Sequence, residues 1–329
     1  MSNEMLEKVI RTTEVGSGGG GLLNAEQSNR FIDYMWDATV LGSQVHTVRM
    51  KSDTVDIDKV GVGQRLVRVA TEAVDDGVNA GATFTKISLT TKKLRLDWEL
   101  SSESLEDNLE GDALEDHIAR LMATQAGNDL EDLAINGDTT LTGDPLLKAF
   151  DGWNKRAKAT GHVVDHAGAG LNRTAFNKAL KAMPRKYMQK RNGLKFLVGS
   201  NLIQDYLFTL SDAAQATYDI ATETIRNGPV RTEGPAGFTT GNAFGVTIQE
   251  VPLFDETQDG DYSAATGDHG DLWLTFPQNL IWGVKREIAV YSEFKPKKDT
   301  IEYTMFTRVG TQVENADAFV VVKNVKVAS

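Results

Sequence analysis

Apolar and polar positions alternate with a period of two over much of residues 45–101. Val45, Thr47 and Arg49 set one face, followed by Val55 and Ile57. Phe84, Lys86, Ser88 and Thr90 then oppose Thr85, Ile87, Leu89 and Thr91, and Leu94, Leu96 and Trp98 oppose Arg95, Asp97 and Glu99. A two-residue period predicts half-exposed strands. Between these runs, Val69–Gly81 carries turn residues and acid but little apolar mass, which predicts the tip of a long hairpin. Two strands alone bury no core and need outside support. A plain surface loop is the alternative.

The period changes to 3.6 at 112–136. Leu114, Ile118, Leu121, Met122, Ala126, Leu130 and Leu133 form one stripe, with Asp112 as N-cap, Glu115 three residues on, and Asn136-Gly137 as the stop. Some 25 residues at 1.5 Å each make a rod of roughly 37 Å, long for a helix in a compact domain. A second helix is predicted from Asn24 to about Val40, with Phe31, Tyr34, Met35 and Ala38 on one face. It follows a flexible Gly16–Gly21 linker and so has no core of its own.

Residues 138–170 read as loop-rich. A helix then starts with Thr174 as cap and carries Phe176, Leu180 and Met183 until Pro184 interrupts it. A strand at Phe196–Val198, a helix from Ser200 through Leu210 and a strand at Gly245–Val251 mark an α/β unit. An acidic loop follows at Asp255–Asp271. The last stretch alternates again: Ile288, Val290 and Phe294, then Ile301 to Val309 against Glu302 to Gly310. It ends in the apolar run Phe319–Val322. No internal repeat is visible.

Charge and composition narrow the function. With 329 residues, the chain can bury about three-quarters of its unfolded surface. The absence of cysteine excludes a disulfide scaffold, a thiolate metal site and a cysteine nucleophile. The formal charge of -11 opposes non-specific binding to phosphate backbones, so a nucleic acid partner would be enclosed and not gripped. No apolar stretch approaches the ~20 residues of a membrane span. Met1–Glu7 is not a basic region leading into an apolar run, so no secretory signal is expected. The Asn172-Arg-Thr174 triplet matches a glycosylation acceptor by spacing alone.

No catalytic constellation emerges. Neither a G-x-S-x-G elbow nor a phosphate-cradling G-x-x-x-x-G-K-[ST] loop is present. His162 and His166 have metal-ligand spacing, but their glycine-rich flanks predict a loop and no glutamate lies between them. In the acidic loop, a calcium frame starting at Asp255 places Asp259 fifth and Gly260 sixth. Thr257 and Thr266 fall at its third and twelfth positions, where carboxylates are required. Asp261, Asp268 and Asp271 read as solvated loop residues. No catalytic, cofactor-binding or metal site is expected.

Several segments resemble one family. Phe84 to Leu96, followed by Leu100-Ser-Ser-Glu-Ser-Leu-Glu-Asp107, resembles the stretch of tailed-bacteriophage major capsid proteins in which an extended loop returns ahead of a long spine helix. Ser101, Glu103, Leu105, Glu106 and Asp107 occupy that motif, with Ser104 in place of the usual apolar residue. Leu133–Asp138 resembles the family's spine-helix end, and Asn242–Pro252 a later strand ending near Val-Pro.

The resemblance implies an α+β chain of the Hong Kong 97-type capsid fold. Its parts would be an N-terminal arm at 1–50, an extended loop and peripheral strands at 51–101, and a peripheral domain with the spine helix at 102–154. An axial domain at 155–285 and peripheral closing strands at 286–329 would complete it. It implies hexamers and pentamers of the chain, forming an icosahedral virion shell around double-stranded DNA and assembled in the host cytoplasm. Separate scaffolding, portal and decoration proteins would serve as partners, without arm cleavage, cofactor, membrane contact or enzymatic activity. Some members form a covalent Lys–Asn link between subunits, and Lys59 or Lys86 lies in the corresponding region. The acidic residues Glu72, Asp75 and Asp76 are expected to meet a basic strip on a neighbour. The competing readings are an encapsulin-like nanocompartment shell and a monomeric surface-binding module.

Overall fold

The computed structural model describes residues 21–22, 39–61, 83–101, 113–216, 231–232, 239–262 and 267–327. The expected helix from Asn24 to about Val40 falls outside these residues up to 38, and residues 39–40 are not helical; the hairpin tip and the 102–107 part of the motif also lie outside. Two sheets organise the rest. The first is built on a long hairpin, β13 (Leu280–Lys295) with β14 (Thr300–Val313). β5 (Lys92–Ser101) pairs antiparallel with β14 in register from Val309↔Lys92 to Thr300↔Ser101. β1 (Gly21–Leu22) and β2 (His46–Arg49) line the other edge of β13, β2 in parallel. The period-two pattern in β5 and β14 turns Leu94, Leu96, Tyr303 and Met305 to the core, with Trp98 stacked on Tyr303 at 5.1 Å.

The second sheet has the order β6-β15-β12-β7-β10-β9-β8. These are His162–Asp165, Phe319–Lys326, Asp268–Thr275, Lys195–Val198, Val246–Glu250, Thr239–Ala243 and Arg231–Thr232; β11 (Gln258–Asp259) joins β12 at its edge. The sequence division assigned 286–329 as a whole to peripheral strands. The structure instead seats β15 in the second sheet, parallel to β6 and antiparallel to β12. The physical reason lies in the uninterrupted run Phe319–Val322. Phe319 and Val321 enter one core cluster, Val320 and Val322 the other. A strand apolar on both faces belongs inside a covered sheet. β12 splits likewise, Trp273 against Leu272 and Leu274, as does β7, Leu197 against Phe196 and Val198.

Helices cover both faces. The long helix α1 (Ala113–Asn136) and α2 (Trp153–Thr160) contribute Leu130, Leu133, Trp153 and Ala157 to the cluster that spans both sheets. α3 (Arg173–Ala182), the short α4 (Arg185–Met188) and α5 (Ser200–Ala216) supply the other cluster around Phe176, Phe196 and Leu202. α1 matches the predicted helix closely, and its stop is physical. A Cβ at Gly152 would sit 2.8 Å from Ala134 O and Gly137 N, and Gly152 N donates to Gly137 O at 2.7 Å. Three sequence expectations change here. Within the stretch read as loop-rich lie α2 and β6. α3 is capped by Asn172, whose side chain accepts from the amides of Thr174 and Ala175 at 2.9 and 3.1 Å, so Thr174 is not the cap. Asp268 and Asp271 belong to β12 and not to a loop.

Candidate assembly surfaces

β3 (Thr54–Gly61) and β4 (Thr83–Thr90) pair antiparallel throughout their length and, among the described residues, form a sheet of two strands. Most of their side chains are exposed, and Phe84 is 72% exposed. Only the base is packed: Leu89 is buried with Met50 and Ile281, with Val55 and Ile57 against them. This base sits in a trough. Gly283 and Gly310 are cross-strand partners on β13 and β14. A Cβ at Gly283 would lie 2.7 Å from Leu89 Cδ2, and one at Gly310 would overlap the Thr90 carbonyl. The hairpin thus approaches the first sheet more closely than side chains would allow.

Polar contacts fix the base further. Thr91 N donates to Asp53 O at 2.9 Å, tying together the two ends of the hairpin. The Asp53 carboxylate receives Lys285 Nζ at 2.7 Å and Arg308 Nη1 at 2.5 Å. Lys285 and Arg308 hold it below the usual carboxylate range. Gln312 Nε2 donates to Ser88 O at 2.7 Å, and Lys59 Nζ to Asn315 Oδ1 of the same chain at 2.7 Å. Lys86 is exposed. Glu72, Asp75 and Asp76 lie outside the described residues.

A second surface runs along α1. Its apolar stripe divides: Ala126, Leu130 and Leu133 are buried, whereas Ile118 and Met122 are half-buried and Leu121 is 57% exposed. The helix therefore carries its apolar face beyond its own core. At the buried end, Glu131 accepts the amides of Val40 and Leu41 at 2.8 and 2.5 Å. As an acidic pair on a helix, Glu131-Asp132 reads from sequence as a solvated face; the structure corrects this for Glu131, which is buried because it stands three residues before the core residue Ala134 on the inward side of the helix. Phe208 on α5 and Phe294 near the β13–β14 turn are also exposed, at 67% and 46%.

The residues weighed as metal ligands have structural work. His162 opens β6 and does not sit in a loop. His166 is buried, with Nε2 3.2 Å from Gly170 O, and burial lowers its pKa. Asp255 accepts from Thr257, and buried Glu256 accepts the amides of Asn201 and Leu202 at 3.0 and 2.9 Å where α5 begins. Asp271 is buried and pairs with Lys158 at 2.7 Å, while Asp261 pairs with Lys323 at 2.7 Å. An acidic cleft of about 760 Å³ lies between the end of α1 and the 252–258 segment, lined by Asp132, Asp144, Asp255, Lys155 and Lys158. Among the described residues no cluster of three or more His, Cys, Asp or Glu side chains is placed to hold a metal ion. Among them, too, no helix is long and apolar enough to cross a membrane.

Comparison with known proteins gives a consistent result. No family model matches the chain. A curated Bacillus subtilis (strain 168) protein, "Putative prophage capsid protein YqbE", is 29% identical over 310 residues, covering 93% of this chain and 94% of that protein. Among solved structures, a chain of the satellite phage P4 procapsid that includes the size determination (Sid) protein superposes with a TM-score of 0.56. Its identity is 13%, over 91% of this chain and 100% of that one. A chain of Mycobacterium phage Ogopogo gives 0.54 at 17% identity, over 87% and 91%. A chain from the capsid of an empty GTA particle gives 0.54 at 14%, over 98% and 99%.

Proposed function

We propose that this chain, a structural capsid protein of the phage type with the Hong Kong 97-like fold, builds an icosahedral shell of hexamers and pentamers around double-stranded DNA. The observation that carries the reading is the β3–β4 hairpin. Among the described residues it is a two-stranded ribbon with an exposed Phe84, packed on its own subunit at its base and tied by the Lys59–Asn315 bond further out. Such a ribbon buries too little to be stable on its own account, and a neighbouring copy supplies the missing face. The exposed apolar end of α1 asks for the same kind of partner.

In this reading the arm spans 1–50 and the first sheet with α1 forms the peripheral domain. The second sheet forms the axial domain, 155–279 with 319–326 added, because 280–285 belong to β13. The acidic tip residues Glu72, Asp75 and Asp76 meet a basic strip on the adjoining copy. The negative charge of the chain suits a container that encloses DNA without reading its sequence. Assembly in the host cytoplasm, with separate scaffolding, portal and decoration proteins, completes the scheme. The subunit acts without cofactor and without catalysis.

The test is negative-stain electron microscopy of the expressed chain, with and without a scaffolding partner, beside a variant carrying Glu72→Lys, Asp75→Lys and Asp76→Lys. Closed shells or free capsomers from the wild type, and their loss in the folded variant, are expected. A monodisperse wild-type monomer at high concentration overturns the shell reading. Normal shells from the variant overturn the role of the tip.

A further inference from the structure

The turn Val40–Val45 joins the N-terminal segment to β2 and closes on itself, with the amides of Gln44 and Val45 donating to Leu41 O. Two charged side chains from distant parts of the fold hold it. From α1, Glu131 takes both leading amides, Val40 N on Oε2 and Leu41 N on Oε1. From β7, Lys195 Nζ donates to Gln44 Oε1 at 2.6 Å and to Gln249 Oε1 at 2.9 Å. Gln44 Nε2 returns to Val40 O at 3.0 Å, and Gln278 Nε2 reaches Gln44 O at 3.3 Å. Leu41 is fully buried and Glu131 is 5% exposed.

Among the described residues neither charge has a counter-ion. Glu131 is answered by two N–H groups and Lys195 by two amide oxygens. Desolvating isolated charges is costly, and an apolar pair would be the cheaper way to fill the space. What the charges add is selectivity. Only a turn that presents two backbone amides to α1 and the Gln44 side-chain oxygen to β7 satisfies both, and withdrawing it takes a partner from each charge at once. We propose that Glu131 and Lys195 are the positioning residues of the N-terminal arm, clamping its root at Val40–Val45 and fixing where the arm leaves the subunit. The role rests on the shell reading, in which that exit point sets which neighbour the arm can reach.

The clamp carries a pH signature. Burial pushes the Glu131 carboxyl up despite its two amide partners. Glu131 therefore binds a proton more readily in the folded subunit than in the unfolded chain, so its contribution to folding stability is full below the ordinary carboxylate range and is lost as pH rises through the raised value. Burial pushes the Lys195 ammonium down, so its contribution is full above the ordinary lysine range and is lost as pH falls through the lowered value. The other side chains bonded to the turn, Gln44 and Gln278, are neutral, as is Gln249 beside Lys195, and His46 next along the chain is exposed.

Hydrogen–deuterium exchange on the unassembled subunit tests this, with intrinsic exchange rates divided out. Glu131→Ala is expected to speed exchange at Val40 and Leu41 by about tenfold or more, leaving the amides of α2 unchanged, and Lys195→Met to speed it at Val45. In the wild type, protection at Val40 and Leu41 changes with pH as Glu131 titrates. In the near-isosteric Glu131→Gln that dependence is absent, and this variant replaces Glu131→Ala should the latter fail to fold. Electron microscopy of the same variants is expected to show shells lost or variable in size. Unchanged protection, or the same pH profile in Glu131→Gln, overturns the clamp. Altered protection with normal shells overturns its role in directing the arm. Wild-type subunits that never form shells count against the shell reading alone, because the exchange measurement does not depend on assembly.

Discussion

At Gly310 the carbonyl of Thr90 lies where a side chain would begin. Gly310→Ala must lift the hairpin base off the first sheet or distort β14. Overpacking of this kind costs about 1–3 kcal/mol. The expected result is a urea midpoint lowered accordingly, with increased protease cleavage between 54 and 90; an unchanged midpoint would mean that the trough is not filled. A second residue-scale consequence concerns acid. Burial raises the Asp151 carboxyl, but Lys155 Nζ at 2.8 Å and the amide and hydroxyl of Thr139 outweigh it and hold the group at about 2. Because the folded value lies below the ordinary one, the stabilisation is complete above the usual carboxylate range and lost as pH falls through it toward about 2. Asp151→Asn should flatten that part of the stability curve in urea titrations between pH 5 and pH 2. A slope identical to that of the wild type would remove the group from the account. Neither residue stood out in the sequence. The need for glycine at 310 comes from a strand some 220 positions earlier. Lys155 stands only four positions after Asp151, but α2, which fixes their geometry, lies in a stretch that reads as loop.

Elements were more legible than their neighbours. The alternation through 83–101 and 300–309 gave the strands, and the 3.6-residue stripe gave α1 nearly to the residue, because both periods are set by local geometry. Pairing is set by what lies across the sheet. Phe319–Val322 was readable as a buried strand but its neighbours were not, since a run apolar on both faces states that it is covered and not by what. α2 was missed for a different reason. Its residues are mostly polar, and only Trp153 and Ala157 are buried, so tertiary contact supplies what the pattern lacks. The place of β15 makes a sharp prediction. Val321 is fully buried with Trp273 as its register partner on β12. A lysine there leaves an unpaired charge in the cluster that joins both sheets, at about 4 kcal/mol or more. Val321→Lys is expected to give no cooperative thermal transition, whereas the partly exposed Lys323→Val should melt near the wild type. Folded Val321→Lys protein would show that the inter-sheet core tolerates a charge.

For the whole molecule, the sequence order of hairpin strands, long helix, mixed helix-and-strand stretch and closing strands is the order of the described elements. The surfaces that matter for assembly were only half visible. The hairpin could be recognised because its sequence lacks the means to support itself. The clamp at the arm root could not, because Glu131 and Lys195 lie 64 positions apart and meet only through a third segment. The seat of β15 also bears on timing. Among the described strands it is the last to be synthesised, yet it lies between β6 and β12 in the interior of its sheet. While the chain is still on the ribosome, that sheet has a gap through its middle and the core shared by both sheets stays open. A nascent subunit therefore cannot close the core shared by its two sheets until its last described strand has been made.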